Sequence, residues 1–328
     1  MDIDRKIIEL LQLGTRMEVP REIHGGLMHR MYHIVTDKGE FALKKLNPGV
    51  MQRPEALRNM IVSEKIAKAF TGIVPAVAAL ETDGRQVHLL EGGYYMVYPW
   101  VQGRSIYPPD IKEANCRTMG QMLGRMHEAG AENDGAPKQE AQEACDWSVL
   151  CNFDAPWARQ LSDALPGLID LEQRAIAAQR LLNENQVISH RDLDPKNVLW
   201  QGEEPLLIDW EAAGYVNPWQ EVCENLLYWA DDGKGGLCKT HFQAFLAGYG
   251  ERQVLDQVPW EKALESGVLG MIGWLHYNVR RALGLEAADE AEKALGIRQT
   301  EDTLKALNAW ERKKNTILSW IQEMKSRC

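Results

Sequence analysis

The residues best suited to chemistry fall together between positions 188 and 210. The run Ile188-Ser189-His190-Arg191-Asp192-Leu193-Asp194-Pro195-Lys196-Asn197-Val198-Leu199 places an asparagine five residues after the aspartate of a His-Arg-Asp triplet. Soon after, the apolar stretch Leu206-Leu207-Ile208 ends on Asp209. Asp192, Asn197 and Asp209 all present oxygen. Such a set suits a hard divalent cation, with one carboxylate left over to take a proton. Segments 198–200 and 206–208 read as two strands around a Gln-Gly-Glu-Glu turn, which puts Asn197 and Asp209 at adjacent ends of one hairpin. Asp194 rivals Asp192 as the base, and His190 in isolation is a further candidate.

This pattern, H-x-D-x-x-x-x-N followed by a strand ending in Asp, resembles the kinase superfamily. The resemblance implies that Asp209 and Asn197 hold Mg2+, that Asp192 orients an acceptor hydroxyl and takes its proton, and that His190 is structural. Phe41-Ala42-Leu43-Lys44 resembles the strand whose lysine reaches the α- and β-phosphates of ATP. Strand alternation puts Ala42 and Lys44 on one face and Lys45 on the other. Glu64, in the middle of the next helix, is the expected carboxylate partner of Lys44, with Glu55 second. His24-Gly25-Gly26-Leu27-Met28-His29-Arg30 resembles a degenerate glycine loop, in which Gly25 and Gly26 turn backbone N–H groups toward phosphate. His29 stands where relatives often carry a small polar residue. Tyr98-Pro99-Trp100-Val101-Gln102-Gly103 resembles an interlobe linker. There the Pro99 carbonyl and the Val101 N–H would hold adenine, over a floor made by Leu199 and Ile208.

Two features separate the chain from protein kinases. Asp209 is followed by Trp-Glu rather than Phe-Gly, and no A-P-E segment follows. The runs Trp210-Glu211-Ala212-Ala213-Gly214 and Asn217-Pro218-Trp219-Gln220-Glu221 resemble the aminoglycoside phosphotransferase and choline kinase group. The resemblance covers roughly residues 20–230. It implies an ATP-dependent O-phosphotransferase acting on a small-molecule hydroxyl; choline, amino alcohols and sugars fit the catalytic motifs equally well. It also implies a supporting role for Glu221. The Gly-Arg-Met-His-Glu stretch at 124–128 resembles a helix ending of the same group, and His127 within it reads as packing. A pseudokinase or nucleotide-binding regulatory module is the alternative from another class. The filled metal and base positions count against it.

The elements that must carry these residues change character along the chain. Residues 1–14 read as a helix with Ile3, Ile7, Leu10 and Leu11 on one face. A hairpin follows over 31–35 and 41–46, then a helix over 54–69 with Leu57, Ile61, Ile66 and Ala69 on or near one side. Strands are expected at 74–80, 86–90 and 94–98, and a helix at 111–129. Beyond that the chain reads mostly as helix. The fold class is therefore α+β, a bilobal protein-kinase-like fold. Its small β-rich N-lobe covers 1–98, a hinge 99–103, and a larger, mainly helical C-lobe 104–328.

Composition narrows the partners. With 328 residues and 45% hydrophobic content, the chain can build a large core. A formal charge of -10 argues against a nucleic-acid partner and leans toward a cationic small-molecule acceptor. Six scattered cysteines, with no C-x-x-C pair, read as reduced thiols in the cytoplasm. No apolar run is long enough to span a membrane. Most of the eleven tryptophans read as core rather than as an amine cage.

Overall fold

The computed structural model describes residues 3–23, 29–131, 142–150, 155–287 and 289–326. The chain divides into two compact units. The first comprises Met1–Asn133, Ile188–Tyr215 and Ala247–Arg252; the second comprises Asp134–Val187, Val216–Leu246 and Gln253–Cys328.

The first unit is built on a five-stranded antiparallel sheet. Helix α1 (Ile3–Leu10) precedes strands β1 (Arg21–Ile23), β2 (Arg30–Thr36) and β3 (Gly39–Lys45). A short helix α2 (Pro48–Met51) and the long helix α3 (Ala56–Phe70) lead to β4 (His88–Leu90) and β5 (Gly93–Pro99). The strand order is β1-β2-β3-β5-β4, so β3 is central. Its register pairs Ala42 with Tyr98, Leu43 with Val97 and Lys44 with Met96. Alternation then sorts the faces. Leu43, Tyr95 and Val97 pack with Ile7, Ile8 and Leu11 of the α1 region. Met96 packs with Met60 of α3, and the paired Lys44 shares that face.

Three local expectations shift. Leu10 is exposed and Ile8 takes its place in the core, because the buried stripe of α1 runs through 7, 8 and 11. In α3 the buried residues are Ala56, Met60, Ser63, Glu64, Ala67 and Phe70, while Ala69 is exposed. The helix is turned so that polar Ser63 and Glu64 occupy the middle of its buried face. Apolar periodicity could not show that phase. Segment 74–80 is extended but forms no strand. Its backbone is satisfied piecemeal, by Leu207 N–H to Pro75 O at 2.9 Å, Val77 N–H to Leu207 O at 2.9 Å and Leu80 N–H to Val97 O at 2.7 Å.

Helix α4 (Glu113–Gly130) buries Cys116, Met119, Met122, Leu123 and Met126. Its last residue, Gly130, lies against the backbone of Ile188, where a Cβ would overlap the Ile188 carbonyl oxygen. After α5 (Pro156–Leu182) come β6 (Val187–Ser189), the hairpin of β7 (Val198–Gln201) and β8 (Glu204–Leu207), and β9 (Gly214–Val216), which pairs with β6. The β6–β9 pair has no counterpart in the sequence reading. Each strand has three residues, too few for a periodic signal.

The second unit is helical. Besides α5 it contains α6 (Pro218–Trp229), most of α7 (Lys239–Tyr249), α8 (Trp260–Ala282) and α9 (Glu290–Lys325). Leu161, Ala175, Ala263, Val268, Ile272, Leu275, Val279 and Ile317 are among its fully buried core residues. Arg174 of α5 ties α8 through Glu265 at 2.6 Å and α9 through Glu311 at 3.2 Å. Trp147, Trp157 and Trp229 are buried, whereas Trp274 is exposed and stacks on Tyr277. No helix among the described residues is long and apolar enough to cross a membrane. Cys116, Cys145, Cys223 and Cys238 are free thiols.

Candidate active site

The loop after β6 is organised by its own backbone. His190 is fully buried against Trp210, with ring centroids 4.5 Å apart. Its Nδ1 accepts the Asp192 N–H at 3.3 Å, so its hydrogen sits on Nε2, which donates to the Ile208 carbonyl at 3.0 Å. Both ring nitrogens are thus engaged by backbone, and His190 has no lone pair left to act as a base. Asp194 is engaged as well. Its Oδ1 accepts the Lys196 N–H at 2.8 Å and caps the 3-10 turn Pro195–Asn197. Asp192 keeps a partly exposed carboxylate.

Asn197 is buried and donates through Nδ2 twice to Asp192, to its main-chain oxygen at 2.8 Å and to Oδ2 at 2.9 Å. The amide nitrogen is therefore committed, and Oδ1 is the atom it can offer to a cation. The Ile208 N–H donates to the Asn197 carbonyl at 3.0 Å, which sets Asn197 and Asp209 side by side at the end of the β7–β8 hairpin. Lys196 Nζ stands 3.3 Å from Asp192 Oδ2.

Asp209 has φ +58° and Arg191 φ +66°, conformations disfavoured for non-glycine residues. Directly after Asp209 a 3-10 turn spans Trp210–Ala212. Trp210 is driven into the core, stacked on Phe70 at 5.5 Å, with its indole N–H donating to the Leu207 carbonyl at 3.1 Å. The flanking carboxylates of Asp209 and Glu211 turn the other way, and both accept from Lys44 Nζ, at 2.7 and 2.8 Å. Burial works to lower the Lys44 pKa, but the charges of Asp209 and Glu211 outweigh it and the net shift is upward. Burial likewise opposes ionisation of Glu211, but His29 and Lys44 overcome it and hold the carboxyl at about 2.

Glu64 does not pair with Lys44 as expected. Its Oε1 accepts from the Tyr98 hydroxyl at 2.8 Å and its Oε2 from the Ala79 N–H at 2.8 Å. Two neutral donors satisfy both oxygens, so Lys44 is drawn to the two carboxylates of the 209–211 turn instead. Glu64 stays close enough for the Lys44 charge to act on it; burial nevertheless raises its pKa. The same burial, together with Glu64, holds the Tyr98 hydroxyl well above its ordinary value.

Pro99 ends β5 opposite Phe41, and the Trp100 N–H donates to Glu40 O at 3.0 Å. The linker segment then reaches β7. Arg104 and Trp200 exchange backbone hydrogen bonds at 3.2 and 2.9 Å, and Gly103, at φ +149°, leaves room for Leu199 and the Trp200 carbonyl. Val101, Leu199 and Ile208 are all half-buried. Gly25 and Gly26 lie outside the described residues. Sequence reasoning missed Glu211 as part of the lysine cluster. The signal available was its spacing of two from Asp209, across a tryptophan that must be buried.

The donor set fits a magnesium-nucleotide. Asp209 and Glu211 already share one cation, the Lys44 ammonium, and Asn197 has one uncommitted oxygen next to Asp209. These are hard oxygen donors of the kind Mg2+ prefers.

Residues 20–255 match the phosphotransferase enzyme family. A homoserine kinase from Sinorhizobium fredii is 27% identical over 168 residues, 51% of this chain and 51% of its own, so the match spans about half of that curated relative. Among solved structures, a spectinomycin phosphotransferase in complex with ADP and spectinomycin superimposes with a TM-score of 0.65 at 15% identity, over 94% of this chain and 98% of its own. An amicoumacin kinase in complex with AMP-PNP and Ca2+ gives a TM-score of 0.65 at 17% identity, over 92% of each chain. The fold is thus the bilobal α+β fold of kinase-like phosphotransferases. With its match covering well over half of its length, the chain belongs to the phosphotransferase enzyme family.

Proposed function

We propose that this protein is an ATP-dependent O-phosphotransferase that transfers the γ-phosphoryl group to a hydroxyl of a small molecule. The observation that carries the proposal is the clustering, in one compact unit, of Lys44 with Asp209 and Glu211, beside the Asp192–Asn197 pair. Lys44 would bind phosphate oxygens, exchanging one set of anionic partners for another. Asp209, Glu211 and the Asn197 carboxamide oxygen would hold Mg2+, whose charge offsets that of the phosphates. Gly25 and Gly26 would supply backbone N–H groups to phosphate, Pro99 and Val101 would hold adenine at the hinge 99–103, and Leu199 with Ile208 would floor it. Glu64 would steady the nucleotide side of Lys44 through its charge. The lobe division 1–98 and 104–328 goes with these assignments.

Asp192 is the base. Its carboxylate orients the acceptor hydroxyl and takes its proton as the hydroxyl oxygen bonds to phosphorus and the bond to the departing ADP oxygen breaks. Commitment of Asp194 to the Lys196 N–H favours Asp192 over its neighbour in this role. The acidic net charge of -10 supports an amine-bearing acceptor, and the free thiols support a cytoplasmic location. Amino alcohols and aminoglycosides are the classes to try first.

The test is an ADP-release screen with Mg-ATP against aminoglycosides, choline-type amines, amino alcohols, hydroxy amino acids and sugars. Asp192→Asn should keep its fold and its nucleotide affinity yet lose turnover by orders of magnitude. Equal turnover by the variant would remove Asp192 from the role. Nucleotide binding without turnover of any acceptor would leave a regulatory module instead.

A further inference from the structure

Among the described residues, His29 is the buried histidine whose ring comes close to Glu211, one of the two carboxylates on Lys44. It immediately precedes β2, directly after the glycine-bearing segment, and is 7% exposed. Its Nδ1 accepts the Asn47 N–H at 3.0 Å. A nitrogen that accepts carries no hydrogen, so the neutral ring bears its proton on Nε2. That Nε2 lies 3.2 Å from Glu211 Oε2. No hydrogen bond is formed across that distance, and Nε2 has no hydrogen-bond acceptor among the described residues.

The other side of the ring rests on a helix cap. Asn47 caps α2, with its Oδ1 accepting the Gly49 N–H at 2.8 Å and its carbonyl accepting from Val50 and Met51. The ring is thus clamped by a capped helix and aimed at a carboxylate. Glu211 accepts from Lys44 on Oε2, the same oxygen that lies nearest His29 Nε2, and its Oε1 has no hydrogen bond among the described residues.

We propose that His29 is a positioning residue: clamped by the Asn47 amide, it holds Oε2 of Glu211 so that Oε1 faces the metal-nucleotide. This rests on the phosphotransferase reading and deepens it. A partner that orients a metal-binding carboxylate controls metal affinity on the order of tenfold or more. The fixed tautomer matters, because a neutral ring has its hydrogen on the side of Glu211 only when its Nδ1 accepts from Asn47.

The experiment is calorimetric titration of the full chain with AMP-PNP, once with saturating Mg2+ and once in EDTA. For the wild type, Mg2+ should strengthen binding. In His29→Asn the amide oxygen can still accept from Asn47 but does not reach Glu211. This variant should lose about tenfold of the Mg2+-dependent gain and keep its affinity in EDTA. Glu211→Gln should show the same Mg2+-specific loss, and the double variant no further loss. His29→Gln, whose amide nitrogen stands near the place of Nε2, should recover most of the gain. Variants with unchanged Mg2+ gain overturn the proposal. So does equal weakening with and without Mg2+, which would make His29 a phosphate contact or a fold element only. Absence of any nucleotide binding by the wild type would instead sink the phosphotransferase reading, and this proposal with it.

Discussion

At the scale of single residues, the site is a small set of charges whose partners decide their roles. Glu211 shows this most clearly. An unfolded glutamate titrates near about 4.3, whereas Glu211 is held at about 2 by His29 and Lys44 against the cost of burial. Its folded pKa is depressed, so its stabilisation is fully present above the unfolded value. It is lost as pH falls from there through about 2. The melting temperatures of wild type and Glu211→Gln should therefore differ most near neutral pH and converge as pH drops below about 4. A gap that stays constant down to that range would show that Glu211 gains nothing from its ionised form. Lys196 is a contrasting case. It is half-exposed, and its contact with Asp192 is long, at 3.3 Å. Lys196→Met should change stability by less than about 1 kcal/mol in a urea titration.

At the scale of elements, the catalytic loop depends on how closely neighbouring backbones can approach. Gly130 at the end of α4 leaves no space for a Cβ before the Ile188 carbonyl of β6, the strand that delivers His190 and Asp192. Gly130→Ala should destabilise the protein by about 3 kcal/mol, because backbone on both sides must move. It should also lower turnover, since β6 carries the loop with it. Urea titration and an activity assay together check this. Unchanged stability would mean that α4 and β6 can move apart at no cost. Helix α3 carries a different lesson. Its hydrophobic pattern predicts a face through Leu57 and Ile61, yet Glu64 and Ser63 hold the centre of the buried face. Glu64 is tolerated there because Tyr98 and Ala79 satisfy both of its oxygens.

At the scale of the whole molecule, every described residue assigned to the nucleotide falls in one of the two compact units, although that unit is assembled from three stretches of chain. Nucleotide binding should therefore leave a local imprint. In hydrogen exchange, Mg-AMP-PNP should slow exchange in β3, β5, the 188–215 segment and α3. Exchange in α9 of the second unit should change little. Uniform protection across both units would contradict that assignment.

What could be read along the chain was whatever chemistry places at short, fixed spacing. His190, Asp192, Asn197 and Asp209 lie within twenty residues on one loop and hairpin, and Ala42 and Lys44 alternate on one strand, so type and spacing alone mark them. The hairpin at Gly202 and the helical character of the C-terminal part were legible for the same reason: their signals are local. The partners of the charges were not. Lys44 meets Asp209 and Glu211 across 165 and 167 residues, Glu64 goes to Tyr98, and His29 closes on Glu211. No periodicity encodes such choices. They follow from which face of α3 turns inward, from Trp210 being buried so that its neighbours point out, and from the need of every buried charge to find a partner once the chain has folded.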